Sequence, residues 1–323
     1  METRLLKEGE KMILVTGGLG FLGSYTAAYL ASQNQKVVVS RHWRTDAPPF
    51  LKEALDKGLV QVASCDVMKL DDVLRVVNEY GVTSIIHAAH RPSYSKPEEF
   101  YGVCGNNILG DMNIGEVCRQ KHLRMTFTSS STVYEGLPGG GRMTEDLALP
   151  AVSRHLTGCF KRAGENILWM FASEFGLDLR IIRPPRIYGP YYRTYRNPVR
   201  RMLEATAAGQ SINLPEVLGN SGGDFIYVED LARAIGLVHL AEKTTHKIYN
   251  AGGGTFTSYR EIANVMERLR PGIRITLGDQ DDSDVSRRWV DITRISQEFG
   301  YKPSYGIEEG HRAWLDWHSR GAT

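Results

Sequence analysis

The sequence predicts an α/β fold, a doubly wound parallel sheet with a smaller C-terminal α/β domain, from three observations. A short apolar run, Ile13-Leu14-Val15-Thr16, ends in the spacing G-x-x-G-x-x-G at Gly17, Gly20 and Gly23, and a stretch that can continue as a helix follows. Apolar runs and helical patterns then alternate as far as Arg183. After Pro184-Pro185 the texture changes, with arginines at 183, 186, 193, 196, 200 and 201 among Tyr188, Tyr191, Tyr192 and Tyr195. Together these mark a Rossmann-type sheet followed by a segment of another kind.

Composition sets the outer bounds. The 323 residues leave room for about two domains. Apolar residues are 42% and charged residues 24%, as in an ordinary globular protein. Lys plus Arg is 39 against 37 for Asp plus Glu, a formal charge of +2, so no nucleic acid and no membrane surface is expected as a partner. No apolar stretch approaches the roughly 18 residues that span a bilayer, and the start carries no secretory pattern. Cys65, Cys104, Cys118 and Cys159 are scattered, so no metal and no disulfide framework is expected, and a reducing cytoplasm is the default compartment.

The elements follow in order. Residues 12–16 read as the first strand and 21–32 as the first helix. Gly17 allows a tight turn, Gly20 leaves room for phosphates, and Gly23 lets helix and strand pack closely. The helix start, with Phe21 and Leu22, offers unpaired N–H groups to an anion. Lys36 to Ser40 is the second strand. Its end faces the adenine ribose in this architecture, and an acid there would bind the 2′-hydroxyl of NAD. This chain has Ser40, Arg41, His42 and Arg44 instead, which leans to NADP over NAD. Val60 to Asp66 is the third strand, and Asp66 either meets the adenine amino group or caps the next turn. Residues 70–79 form a helix, and Thr83 to Ala89 a fourth strand whose small end, Ala88-Ala89, lets a dinucleotide pass close by. His87 is expected to be packed and hydrogen-bonded. His90 and Arg91 lie in the next loop, near a nicotinamide. One long helix is expected over 98–120. Leu123 to Ser130 is the fifth strand, ending in Ser129 to Ser131. A second long helix covers 155–175, and Leu177 to Arg183 is the sixth strand, after which Pro184-Pro185 stops regular structure. Beyond it, Asp224 to Val228 and Lys247 to Asn250 read as strands, 229–241 and 259–269 as helices, and Pro271 to Leu277 as a strand, with Thr257 or Ser258 as cap and Glu261 as its reciprocal partner. Glu229 and Asp230 are expected to cap a helix, and Trp289, Trp314 and Trp317 to lie in the core. The Arg/Tyr segment reads as a surface for an anionic, planar-ended ligand such as a nucleoside diphosphate.

Several landmarks resemble the extended short-chain dehydrogenase/reductase family, of the nucleotide-sugar epimerase/dehydratase type. They are Thr16 to Gly23, Cys65-Asp66-Val67, His87-Ala88-Ala89, Asn107-Ile108-Leu109-Gly110, Ser129 to Tyr134, Arg183 to Pro190, Asp224 to Asp230 and Ile307 to Gly310. The resemblance implies an NAD(P)-binding domain over 1–183, with 224–252 returning to it, and a domain over 184–223 and 253–323 that binds a nucleoside-diphosphate sugar. It also implies a homodimer built on the two long helices. Its candidate cofactor residues here are Gly17, Gly20, Phe21, Leu22, Gly23, Ser40, Arg41, Asp66, Val67, Ala88, Ala89, Asn107 and Lys161. Its candidate substrate residues are His90, Arg186, Tyr188, Arg193 and Arg288. The family's chemistry uses a Tyr base, a Lys four residues later, and a Ser or Thr that orients the sugar hydroxyl. Ser130 and Lys161 match, but Thr157 stands where the Tyr belongs. A Thr hydroxyl cannot be brought into range as a base the way a phenol can. His155 and Cys159 flank the gap on other faces of the helix. Ser131-Thr132 replaces the Asp-Glu of the family's dehydratases, and Gly223 replaces an Arg that often holds substrate phosphates, a task the neighbouring arginines can take over. The readings left open are an epimerase or oxidoreductase with an atypical base, a catalytically inactive cofactor-binding protein acting through its surface, and a non-standard elimination or reduction on a modified sugar.

Overall fold

Valine- and isoleucine-rich runs build the central sheet of a computed structural model that describes residues 11–42, 44, 46–91, 96–153, 155–192, 197–279 and 287–320. The seven strands are β1 Met12–Thr16, β2 Lys36–Arg41, β3 Val60–Ser64, β4 Val82–His87, β5 Arg124–Thr128, β6 Leu179–Arg183 and β7 Ile248–Asn250. Their order is β7-β6-β5-β4-β1-β2-β3. β1 pairs in parallel with β2 on one side and β4 on the other, in a register that sets Thr16 opposite His87. The strand order reverses at β1, and ligands of open α/β sheets bind beyond the carboxyl ends of strands at such a point. All five residues of β1 are buried, as a strand covered on both faces requires.

Four helices matter most: α1 Phe21–Ser32, α2 Leu70–Tyr80, α3 Gly110–Lys121 and α4 Leu156–Phe175. α2 buries Val73, Val76 and Val77 from one face, and α4 stops at Gly176, which takes the left-handed conformation at φ 70°. Leu14, Val38, Ile85, Ile114, Val117, Phe127 and Leu168 belong to one buried core. The single long helix expected over 98–120 is instead three pieces: a helix at Phe100–Cys104, a π-helical turn at Gly105–Leu109, and α3. The turn buries Asn107, whose amide is bound at both ends by the backbone of Arg91.

The chain divides into two compact units: Met1–Leu137, Ala148–Arg183 and Ala232–Tyr249 in the first; Pro138–Leu147, Pro184–Leu231 and Asn250–Thr323 in the second. Pro184-Pro185 end β6 as expected, and the next strand starts directly after them at Arg186, ahead of the elements expected from Asp224 on. Arg186–Tyr188 pairs in parallel with Phe225–Tyr227, and Ile212–Leu218 with Ile275–Gly278. Gly141–Met143 pairs with Arg288–Val290, which places residues 138–147 in the second unit. Helices at Pro198–Ala207, Tyr259–Leu269 and Ile307–Ser319 bury Met202, Leu203, Ile262, Met266 and Trp314 in its core. Ser258 and Glu261 form the reciprocal cap at Tyr259–Leu269. Glu229 and Asp230 lie in the first turn of the helix Val228–Leu240, and Asp230, buried, also accepts the N–H groups of Ser304 and Tyr305 and fastens that segment.

Candidate active site

The first unit carries a cradle at the carboxyl ends of β1, β2 and β4. Gly17 sits at φ 65°, and its carbonyl accepts the Gly20 N–H at 2.8 Å. A β-carbon on Gly23 would overlap that carbonyl, so the third glycine is what lets α1 start against the turn. A β-carbon on Gly17 would lie 2.9 Å from the Ala89 backbone, which brings the end of β4 against the same turn. Ser40 is buried and accepts the Gly17 N–H at 2.9 Å, so its hydroxyl fastens the turn. α1 has Gly20 as its N-cap, no side-chain cap and no acid in its first turn. With no acid in that first turn, the start of α1 is suited to an external anion. A dinucleotide pyrophosphate fits this cradle. Arg41 is exposed at the end of β2, and Arg44 reaches the Leu19 carbonyl at 3.4 Å. Asp66 takes the capping alternative, accepting the Met68 N–H at 3.0 Å, while Val67 is buried.

A buried polar cluster lies behind the cradle. Thr16 Oγ1 accepts the N–H groups of Ala88 and Ala89, each at 3.2 Å, so its own proton goes to His87 Nδ1 at 2.6 Å. His87 Nε2–H then donates to Asp111 Oδ1 at 2.9 Å, the packed role expected of this histidine. On α4, Lys161 is 4% exposed, and its ammonium lies 4.6 Å from the centre of the Phe127 ring. Glu165, one turn on, accepts from Ser129 Oγ at 2.5 Å and from Arg183 at 2.9 and 2.6 Å; Arg183 also donates to the Tyr134 hydroxyl at 2.9 Å. This network fixes the serine turn, and its pairings are not legible in the sequence. Ser130 Oγ accepts from the Thr132 N–H and hydroxyl at 3.2 and 3.0 Å, which leaves its own proton to donate. Thr157 is half-buried, whereas His155 and Cys159 are exposed. His90 has its Nε2 covered and without a partner, and burial first, then the Lys161 charge, holds its imidazole well below the usual histidine range, so it is neutral.

The second unit has its own features. The Arg186 guanidinium occupies the place where a side chain at Gly223 would begin, and lies 5.9 Å from the Phe225 ring centre. Exposed, it has no acidic partner among the described residues. Tyr188 is a correction. It is 3% exposed, stacked 4.7 Å from the His311 ring, and donates its hydroxyl to the Gly306 carbonyl at 3.3 Å, so it packs the core and presents nothing to a substrate. Arg193 lies outside the described residues. Arg288 donates twice to the Gly139 carbonyl, at 2.9 and 2.7 Å. A cavity of about 450 Å³ is lined by Asn220, Thr255, Phe256, Ser258, Arg287 and Trp289, among others. Trp289 therefore lines a cavity instead of joining the core, and Arg287, unremarked in the sequence, lies 5.8 Å from the Phe256 ring centre beside it.

Residues 13–252 match the model of the NAD dependent epimerase/dehydratase family. The chain belongs to that family. It is similar to UDP-glucuronate 4-epimerase 2 of Arabidopsis thaliana, 25% identical over 95% of this chain and 75% of that protein. Among solved structures, MoeE5 in complex with UDP-glucuronic acid and NAD is 26% identical with a TM-score of 0.78, over 97% of this chain and all of that one. UDP-glucose 4-epimerase of Thermotoga maritima with UDP-glucose has a TM-score of 0.83 at 21% identity, over 97% and 100% of the two chains, and shows the fold. Among the described residues no cluster suited to a metal ion occurs, and no helix is long and apolar enough to cross a membrane.

Proposed function

We propose that the protein is an NAD(P)-dependent epimerase or oxidoreductase acting on a nucleoside-diphosphate sugar, with Thr157 where the general base Tyr would stand. The observation that carries this reading is the buried Lys161, one helical turn from Thr157 and within the same unit as the bare, glycine-lined start of α1. A nicotinamide held there would supply reversible hydride exchange with a sugar carbon. Gly17, Gly20, Phe21, Leu22 and Gly23 hold the pyrophosphate, Ala88 and Ala89 give it room, and Lys161 binds the nicotinamide ribose. Asp66 and Val67 border the adenine, and Asn107 acts through the Arg91 backbone that it holds. Ser130 donates to the sugar hydroxyl and Thr157 orients it. With Thr157 in place of the phenol, that hydroxyl's proton passes to water, and turnover is slow.

On the substrate side, Arg186 supplies the unpaired guanidinium for the diphosphate, with Arg193, Arg288 and His90 as further contacts, and the cavity beside Arg287 and Trp289 suits a planar base. Arg41 and Arg44, with no acid at the end of β2, favour NADP; the MoeE5 structure named above holds NAD, so the two are compared directly. Exposed Trp169, Met170 and Phe175 on α4, with Phe100 and Tyr101 before α3, favour a homodimer through these helices. Four free cysteines suit the cytoplasm.

The test is product NMR on UDP-, dTDP-, GDP- and CDP-sugars with NAD or NADP. An epimerised or oxidised sugar from one of them supports the reading and names the cofactor. Bound cofactor with every sugar returned unchanged would overturn it in favour of a cofactor-binding protein without this chemistry.

A further inference from the structure

The charge on Lys161 needs an account. Its ammonium is buried, lies over an aromatic ring, and makes no hydrogen bond to any described residue. Burial pulls such a group below its ordinary range, towards the neutral amine. The groups around it come from three elements. Glu165 stands on its own helix, but that carboxylate is already committed to Arg183 through two bonds and to Ser129. His90, after β4, is neutral. His87, at the end of β4, has both ring nitrogens occupied, Nδ1 by the Thr16 hydroxyl and Nε2 by Asp111. Asp111, on α3, is left, and it is the larger of the two charges that favour the ammonium.

The backbone is built to admit it. A β-carbon at Gly164, three residues beyond Lys161 on α4, would overlap Asp111 Oδ2 and lie 2.9 Å from Phe127 Cζ, the ring that Lys161 covers. Only a residue without a side chain lets the carboxylate sit there. The other carboxylate oxygen is tied to His87, and His87 to Thr16, whose hydroxyl collects the Ala88 and Ala89 N–H groups beside the glycine turn. Thr16, His87 and Asp111 therefore form a hydrogen-bonded line from the cradle to the Gly164 face of α4.

We propose that Asp111 is the counter-ion of Lys161, a positioning residue admitted by Gly164 and aligned by His87 and Thr16, that keeps the ammonium charged and aimed at the cradle. The role of Lys161 in holding a cofactor rests on the reading above; the charge coupling does not.

The test is a pH titration of Lys161 in the cofactor-free protein, by NMR on ¹³C-labelled lysine with the signal assigned from K161R. In D111N, which keeps an oxygen for the His87 N–H, Lys161 titrates lower than in the parent by about one to three pH units. G164A, which pushes the carboxylate away, moves it in the same direction and carries the test should D111N not fold. Dinucleotide binding followed by calorimetry loses affinity at correspondingly lower pH in both variants. A Lys161 titration unchanged in either folded variant would overturn the proposal. A shifted titration in a protein that turns over no sugar nucleotide would leave the counter-ion standing and sink the functional reading instead.

Discussion

Thr157 and Glu165 show how far single residues decide this site. A threonine in place of a phenol removes a group whose ordinary pKa, near 10, a neighbouring ammonium can bring into range. Restoring it with T157Y should raise turnover of the accepted sugar nucleotide by about 10²-fold or more, measured as steady-state kcat. An unchanged rate would show that the missing phenol is not what limits the protein. Glu165 matters for a different reason. It is buried between Arg183 and Ser129, and breaking such a pair by removing one partner leaves an uncompensated charge. E165A should lose about 3–5 kcal/mol in urea unfolding. The substitution at 157 was legible in the sequence, because it breaks a pattern of fixed spacing. The job of Glu165 was not, because its partners lie 18 and 36 residues away and only the fold brings them together.

The glycine turn with α1 is the element that sequence reading captured best. Its three glycines each answer a local steric demand, and such demands are visible in residue order. G23A should therefore cost stability and abolish dinucleotide binding, because the overlap is with backbone that cannot move aside. Calorimetric titration with NAD checks it, and a G23A protein that binds as the parent does would contradict the packing argument. The segment 98–120 was read less well. Its apolar residues recur at helical spacing, and a single π-helical turn changes that spacing too little to show. The break lies at Asn107, whose two hydrogen bonds to Arg91 reach across 16 residues of chain. After Pro184 the strands among the described residues are two to seven residues long, too short for alternation to separate the buried Tyr188 from an exposed neighbour. Reading its ring as substrate-facing failed for that reason.

At the scale of the whole molecule, burial of titratable groups sets a response to acid. His239 lies between Thr126 and Ser84, and burial pulls its pKa down to about 3. His311 falls to about 4 for the same cause, and His90 well below its usual range. The unfolded chain takes up these protons below about pH 6.5 and the folded chain does not, so each histidine removes stability as pH falls from there to its folded value. Asp224 and Glu145 act in the opposite sense. Burial raises both, Asp224 to about 7, so the folded state holds a proton that the unfolded carboxyl releases. Three histidines outweigh the two carboxyls, so stability falls with pH between roughly pH 6 and pH 5. Melting temperature across that window should fall with pH, and H239Q should flatten the fall. A parent protein that gains stability towards pH 5 would contradict this balance.

The claim beneath all of this is that the chain still carries out transient oxidation of a sugar nucleotide without its tyrosine. The measurement that tests it most directly is stopped-flow absorbance in the band of reduced nicotinamide, after mixing the cofactor-loaded protein with the sugar nucleotides in turn. A band that rises and decays with one of them is the predicted result. A loaded protein whose absorbance stays flat with every sugar would contradict it.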